Sequence, residues 1–289
     1  MLQQRTGRIG FIFTLPAIIF FLGFILIPVF STFFLSFTEW KGFNLANIRL
    51  SGLTNFANLF KDKVFFISLK NTFMFVIVTT AALNILGFLG ASIIDSGIRA
   101  TRLFKNLIFL PVLLSPIIIG IMWSRMLDAF GVINQFLFSL HVIKTPILFL
   151  GDQRVALYTV IGATIWQYTG YDMLLYYAGL QGVPEELIEA ATIDGASKAA
   201  IKLKIILPVL SPVIAVTMLL NIVGGFKVFD IVYIMTAGGP NNSSHVFATY
   251  LFQSAFRFNK MGYASVIAIV IIFFSFIAAV IRLRIGREK

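Results

Sequence analysis

The chain has 289 residues, of which 58% are hydrophobic and 12% charged, and its formal net charge is +11. Soluble domains carry about 25% charged residues, so the composition excludes an ordinary soluble protein and predicts an integral membrane protein. There is no cysteine, which excludes disulfides and cysteine-bound metal. The Lys and Arg residues lie singly between apolar runs, a pattern that favours membrane topology over nucleic-acid binding.

Six apolar runs are long enough to cross a bilayer core of about 30 Å, which takes about 20 helical residues. Backbone groups in lipid must pair within their own segment, so all six runs are predicted to be helices of an all-α membrane protein. One transmembrane domain is expected over residues 1–289, and Pro16 and Pro28 are expected to bend its first helix. The runs are approximately residues 9–37, 64–94, 103–127, 155–180, 208–235 and 262–281.

The distribution of Lys and Arg predicts the orientation of these spans. With a cytoplasmic N-terminus, the inner segments carry more basic residues than the outer connections, as the positive-inside rule requires. Both termini are therefore expected in the cytoplasm.

A weak internal repeat marks the third and fifth runs. The string Leu110–Pro116 reads LPVLLSP, and Leu207–Pro212 reads LPVLSP. Proline is tolerated in the first turn of a helix, where its missing N–H costs nothing, and that ordinary reading stays open. Two such similar strings also suggest that paired prolines bend two related helices.

The connection between the fourth and fifth runs, residues 181–207, contains a short predicted helix. Pro184 followed by Glu185 and Glu186 is typical of a helix start, because carboxylates are stabilised at the positive end of the helix dipole. Asp194–Gly195 is typical of a helix end. The segment is either a solvated loop or a helix whose small residues fit a groove of another protein.

The residues of this connection resemble the EAA loop of permease subunits of binding-protein-dependent ABC importers. The match is carried by Glu189-Ala190-Ala191, by Gly195 six residues after Glu189, and by Leu207–Pro208. Segments at Phe229–Asp230, Thr236–Pro240 and Gly262–Ser265 resemble the carbohydrate and glycerol-phosphate branch of that family. The resemblance covers essentially the whole chain and indicates a minimal six-helix form of a maltose-permease-like subunit, with an EAA coupling helix between helices 4 and 5.

The resemblance implies an assembly in the bacterial cytoplasmic (inner) membrane. Its partners are a second homologous permease, an ATPase dimer that binds ATP and Mg, an extracytoplasmic solute-binding protein and a sugar substrate. The chain has no G-x-x-x-x-G-K-[ST] phosphate loop, so no cofactor is expected in it and it is not expected to be an enzyme. The implied coupling residues are Glu189, Ala190, Ala191, Asp194 and Gly195.

Aromatic, amide and carboxylate groups suit a sugar, which offers hydroxyls and an apolar C–H face. By resemblance, the substrate path lies on the two helices that flank the EAA loop. Lys227 and Asp230 are three residues apart and are expected to form an intramembrane ion pair on one helical face. The expected path residues are Trp166, Gln167, Tyr168, Tyr171, Asn221, Gly224 and Gly225.

Two other interpretations remain at this point. The solute is glycerol phosphate or another polar compound, or the chain is an ATP-independent secondary transporter or channel. A membrane enzyme would need a nucleophile with a base, or a His and carboxylate metal site, and no catalytic or metal-binding pattern is recognisable in the spans.

Overall fold

The structure is a computed structural model that describes residues 13–42, 44–97 and 101–285. Its elements are helices apart from one two-stranded ladder, in which Thr38 pairs with Leu50 and Glu39 with Arg49. The elements in chain order are α1 (Phe13–Ser36), β1 (Thr38–Glu39), β2 (Arg49–Leu50), α2 (Thr54–Leu59), α3 (Lys63–Asp95), α4 (Thr101–Phe109), α5 (Pro116–Met126), α6 (Val132–Ser139), α7 (Ala156–Leu180), α8 (Glu185–Ile193), α9 (Lys198–Val209), α10 (Ser211–Phe226), α11 (Asp230–Thr236), α12 (Phe247–Phe252) and α13 (Met261–Ile285).

Among the described residues, three helices are long and apolar enough to cross a bilayer: α1, α3 and the Met261–Ile281 part of α13. The number rises to five if α4 with α5, and α9 with α10, each count as one bent span. Helix α7 has 25 residues, enough length to span, but its many polar residues make it less apolar. The chain is therefore a membrane-spanning helical protein, and the count of six spans stays a prediction.

Both proline strings coincide with sharp bends, so the predicted bends are confirmed. The axis turns by 99° between the segments Thr101–Leu113 and Pro116–Met126, and by 70° between Lys198–Val209 and Ser211–Phe226. Neither range, 103–127 nor 208–235, is one straight helix. Proline causes these bends because it lacks the N–H that would continue the helical hydrogen-bond ladder. The range 208–235 contains a further break, since α10 ends at Phe226 and α11 begins at Asp230.

The first helix accommodates its prolines within one span. A π-turn at Leu22–Leu26 precedes Pro28, and α1 then continues to Ser36. Large side chains along α1 are exposed, including Phe13 and Phe24. Residues 9–12 of the predicted span lie outside the described residues.

The chain divides into two compact units, and the expected single domain over 1–289 stays a prediction. The first unit comprises residues 1–62 and 251–270 and contains the strand ladder. Within it, the buried Asn55 Nδ2 donates to the carbonyls of Ser36 (3.0 Å) and Thr38 (2.8 Å). Tyr263, from the segment that resembles the importer family, donates its hydroxyl to Asp62.

The second unit comprises residues 63–250 and 271–289 and holds two buried apolar clusters. The first cluster joins α3, α5, α7 and α11 through residues such as Phe75, Ile119, Val160 and Val232. The second joins α3, α7, α8 and α9 and is made of Ala91, Ile94, Met173, Tyr176, Leu180, Val183, Ala191, Ile201, Ile206 and Leu210.

Close helix contact in this second unit depends on glycine. At Gly170 of α7, a Cβ would lie 2.7 Å from the carbonyl carbon of Ile108 and from Cα of Phe109, at the end of α4. Backbone atoms cannot turn aside as a side chain can, so only glycine lets α4 approach α7 this closely.

Candidate functional site: a coupling helix and an intramembrane cavity

The predicted short helix between the fourth and fifth runs is α8, and it begins at Glu185, one residue later than expected. Pro184 is the N-cap residue, and Glu185 and Glu186 occupy the first turn. Their carboxylates stabilise the helix start through the helix dipole. The helix continues through Glu189, Ala190 and Ala191 to Ile193.

The turn after α8 requires glycine. Gly195 has φ +77°, a left-handed conformation that side-chain-bearing residues disfavour. Asp194 caps the helix, and Ser197 then caps α9, its hydroxyl accepting from the Ala200 N–H at 3.2 Å. The expected Asp–Gly helix end is confirmed.

The two faces of α8 differ in what they contact. Ala191 is buried in the second cluster, and Ile188 packs against that cluster from its edge. Glu189, Ala190 and Asp194 are exposed, as is Ile193, with 86% of its surface accessible. Ala191 and Ile188 therefore attach α8 to an apolar cluster that includes residues of α7 and α9, and a mixed acidic and apolar face stays uncovered.

A cavity of about 570 Å³ lies in the second unit, between α3, α7 and α10. It borders the break before Pro116 and the break after Phe226. Five of the seven expected path residues line it: Tyr168, Tyr171, Asn221, Gly224 and Gly225. Its other lining residues are Phe75, Thr79, Leu83, Val112, Pro116, Thr164, Leu220, Lys227, Val228, Phe229, Asp230 and Ile231.

The aromatic and amide groups in the cavity come from two helices. Tyr168 and Tyr171 lie one turn apart on α7, the first half-buried and the second 41% exposed. Asn221 comes from α10, and its Nδ2 donates to Oδ2 of Asp172 at 3.0 Å. The cavity thus combines ring faces with hydrogen-bonding groups.

The two adjacent glycines of α10 have different roles. A Cβ on Gly225 would lie 2.9 Å from Cγ2 of Val76, so this glycine lets α10 pack against α3. A Cβ on Gly224 would meet nothing within 4 Å, so this residue borders open space. Of the two, only Gly224 leaves open space in the cavity wall.

Trp166 and Gln167 do not line the cavity, contrary to expectation. The ring of Trp166 packs edge-on against that of Trp123, with centroids 5.5 Å apart. Gln167 is 1% exposed, and its Nε2 donates to the carbonyl of Leu114 at 3.1 Å. That carbonyl lies at the break before Pro116, where no helical N–H is available to it.

The expected ion pair between Lys227 and Asp230 does not form. Helix α10 ends at Phe226 and α11 begins at Asp230, with Phe229 at φ −134° and ψ −60° between them. A three-residue spacing places side chains on one face only in a continuous helix. Both charged residues are exposed at the cavity wall, and no Asp or Glu of the described chain pairs with Lys227.

Two residues of interest were missed as path residues. Phe229 lines the cavity and stacks on Tyr233 with ring centroids 5.1 Å apart. Asp172 lies directly behind Asn221 and is 1% exposed. The signal for Asp172 was present, because an ionisable residue inside a span is costly and indicates a function. No group of three or more His, Cys, Asp or Glu within the described ranges could hold a metal ion.

Comparison with known proteins identifies relatives of the whole chain. Residues 84–288 match the family model described as binding-protein-dependent transport system inner membrane component. The chain is 32% identical to the probable ABC transporter permease protein YurN of Bacillus subtilis, over 97% of this chain and 98% of that protein. It is 31% identical to the lactose transport system permease protein LacF of Rhizobium radiobacter, over 97% and 94% of the two chains.

A solved structure has the same fold. It is a chain in the crystal structure of a bacterial ABC transporter involved in the import of the acidic polysaccharide alginate, with a TM-score of 0.81 and 23% identity. The match covers 99% of this chain and 97% of the other.

Proposed function

The chain belongs to the family of binding-protein-dependent transport system inner membrane components, and from that premise we propose that it forms part of the translocation path for a sugar or oligosaccharide. The observation that carries the sugar assignment is the cavity with Tyr168, Tyr171 and Asn221 in its wall. Ring faces can stack on the C–H face of a sugar, and an amide can bond its hydroxyls.

The size and position of the cavity support this proposal. Its volume of about 570 Å³ falls within the range of about 300 to 1,000 Å³ that is typical of small-molecule sites. It borders the helix breaks before Pro116 and after Phe226. Non-helical backbone at membrane depth is tolerated where it lines such a cavity. Similarity to a lactose permease supports a sugar over glycerol phosphate, which is the alternative solute.

The coupling residues act at α8. The ATPase dimer binds ATP and Mg, and its two subunits close on each other when ATP binds. The exposed face of α8 docks into a cleft of one of these subunits. Glu189 supplies a polar contact, Ala190 lets the surfaces approach, and Gly195 sets the angle between α8 and α9. Because Ala191 of α8 is buried in the same apolar cluster as Met173 and Tyr176 of α7, displacement of α8 moves the wall of the cavity.

The working assembly also contains a second homologous permease and an extracytoplasmic solute-binding protein that delivers the sugar. This chain is a transport subunit with both termini in the cytoplasm of a bacterium, and it binds neither ATP nor metal and catalyses no reaction. A docked helix couples two conformational states only if its contacts differ between them, so the contacts of α8 change when the ATPase closes.

Reconstitution tests this proposal. The chain is assembled in vesicles with its partner permease, its ATPase and its binding protein, and uptake of radiolabelled lactose, maltose and glycerol 3-phosphate is measured. We expect uptake of a sugar that requires both ATP and the binding protein. Selective uptake of glycerol 3-phosphate would replace the sugar assignment, and uptake by the permeases alone along an ion gradient would indicate a secondary transporter.

A further inference from the structure

Asp172 is buried in α7 with no positively charged partner in the described chain. It is 1% exposed, and among the described residues no Lys or Arg nitrogen lies within 4.0 Å of its carboxyl group. A charged residue near the bilayer centre costs at least ~2.5 kcal/mol on insertion scales. An apolar residue would avoid that cost, so the carboxyl group must serve another purpose.

The only hydrogen bond of this carboxyl group within the described residues goes to the cavity wall. Oδ2 accepts from Nδ2 of Asn221 at 3.0 Å, and Oδ1 is buried with no hydrogen-bond partner in the part of the chain that the structure describes. The contact joins α7 to α10, the two helices on either side of the coupling segment. Asp172 thus lies behind a residue that faces the cavity.

The chemistry of this contact fixes the direction of the amide. A carboxylate only accepts hydrogen bonds, whereas an amide group carries a donor end and an acceptor end. While Asp172 is ionised, Asn221 therefore turns its NH₂ group towards it, and the structure shows this orientation, with Nδ2 at 3.0 Å from Oδ2. Its Oδ1 makes no hydrogen bond to any described residue and is left as an acceptor beside the cavity.

Helix α3 holds Asp172 in place from the other side. A Cβ on Gly87 would lie 2.8 Å from Cβ of Asp172 and 3.0 Å from its backbone carbonyl carbon. Glycine at this position lets α3 pack closely against the backbone and Cβ of Asp172, which fixes where the side chain leaves α7.

We propose that Asp172 is a positioning residue that fixes the orientation of Asn221, so that the site presents an amide oxygen to a hydroxyl donor of the substrate. This inference rests on the proposed function and adds a specificity rule: the solute donates a hydrogen bond at this point. Asp172 itself does not touch the solute.

A double-mutant cycle on the assembled complex tests the contact without any solute. Thermal unfolding is measured for the parent, Asp172→Ala, Asn221→Ala and the double variant. We expect the effects to be non-additive, because each single variant already removes the hydrogen bond. Additive effects would show that the two side chains act independently and would overturn the proposal, whichever solute is carried.

Transport tests the positioning role. The ratio of sugar taken up to ATP hydrolysed is measured with lactose or maltose, and with glycerol 3-phosphate if neither is transported. Asp172→Asn keeps the side-chain shape but offers a donor as well as an acceptor, so Asn221 can flip. We expect that ratio to fall by about 2- to 10-fold, the equivalent of one neutral hydrogen bond, while stimulated ATP hydrolysis is retained.

Two further variants separate positioning from a structural role. Combining Asp172→Asn with Asn221→Asp again turns an acceptor oxygen towards the cavity and should restore the ratio towards the parent value. Tyr176→Phe, one turn along α7, removes a buried hydroxyl that bonds Oδ1 of Asn84 at 2.7 Å and should leave the ratio unchanged. A parent-like ratio in Asp172→Asn, or no recovery in the combined variant, would overturn the proposal.

Discussion

Nε2 of Gln167 donates a hydrogen bond to the carbonyl oxygen of Leu114, 3.1 Å away, at the break where the chain turns by 99° into α5. The contact joins residues 53 positions apart, and the glutamine is 1% exposed. Gln167 therefore satisfies a carbonyl that the proline break leaves without a helical partner.

Replacing Gln167 with leucine should destabilise the protein. The half-buried carbonyl of Leu114 would lose its hydrogen bond, an effect of about 0.5 to 1.5 kcal/mol. Thermal unfolding of the purified complex measures it. The matched control is Gln135→Leu, since Gln135 bonds the Phe130 carbonyl on an exposed surface and should change stability little. Equal stability of the two variants would contradict the role assigned to Gln167.

Gly170→Ala should be strongly destabilising, because the added Cβ would meet backbone atoms at the end of α4. Overpacking of this kind costs about 1 to 3 kcal/mol, and the cost is larger where no side chain can move aside. Gly162→Ala on the same helix is the control, because nothing lies within 4 Å of its Cβ position. That variant should be neutral or slightly stabilising, and similar unfolding temperatures for the two would refute the close contact.

Tyr171→Ala should lower the sugar taken up per ATP hydrolysed without impairing assembly. The ring faces the cavity, and its removal takes away an aromatic contact worth about 0.5 to 1.5 kcal/mol. Tyr158→Ala is the control, since Tyr158 is an exposed residue of α7 that does not line the cavity. If both variants transport like the parent, Tyr171 is not part of the path.

Glu189→Ala and Gly195→Val should weaken retention of the ATPase and abolish stimulation of ATP hydrolysis by the binding protein. The first removes a charge-assisted contact worth about 1.5 to 3 kcal/mol, and the second places a β-branched residue at φ +77°. Both should reach the membrane in normal amounts, because Glu189 and Gly195 are exposed. Glu39→Ala is the control, because Glu39 is an exposed glutamate of β1. If all three variants keep full stimulation of ATP hydrolysis by the binding protein, α8 has no coupling role.

Cysteine labelling tests the orientation, because the chain has no cysteine of its own. Ala46→Cys, in the segment between the first two spans, should react with an impermeant thiol reagent added to intact cells. Ala199→Cys on α9 should react only after the membrane is opened. Both positions are exposed, so burial does not decide the outcome. The reverse pattern would place the termini outside.

Much of the architecture was predictable because its causes are local. The run predicted over 64–94 is helix α3 at Lys63–Asp95, and the run over 155–180 is α7 at Ala156–Leu180. The helix start after Pro184 depends on the helix dipole, and the turn at Gly195 depends on a positive φ, so single residues determine both. The proline bends follow in the same way from a missing N–H.

The site was only partly predictable. In a soluble helix, the polar residues mark the face that meets water, but a helix in lipid can be apolar on every side, so the sequence does not say which face packs inward. Gln167 and Tyr168 are neighbouring polar residues of α7, and the sequence predicted both as path residues. In the structure Tyr168 faces the cavity, whereas Gln167 faces a helix break.

The sequence by itself determined that this is a membrane-spanning helical protein with a short helix between its fourth and fifth apolar runs, because composition, run length and capping residues act locally. The tertiary structure decided which polar groups meet. It separated Lys227 from Asp230 by ending α10 at Phe226, and it brought Asp172 to Asn221 across two helices. Such pairings depend on how closely helices approach, and the Gly87 and Gly225 contacts that permit this are visible only once the helices are packed.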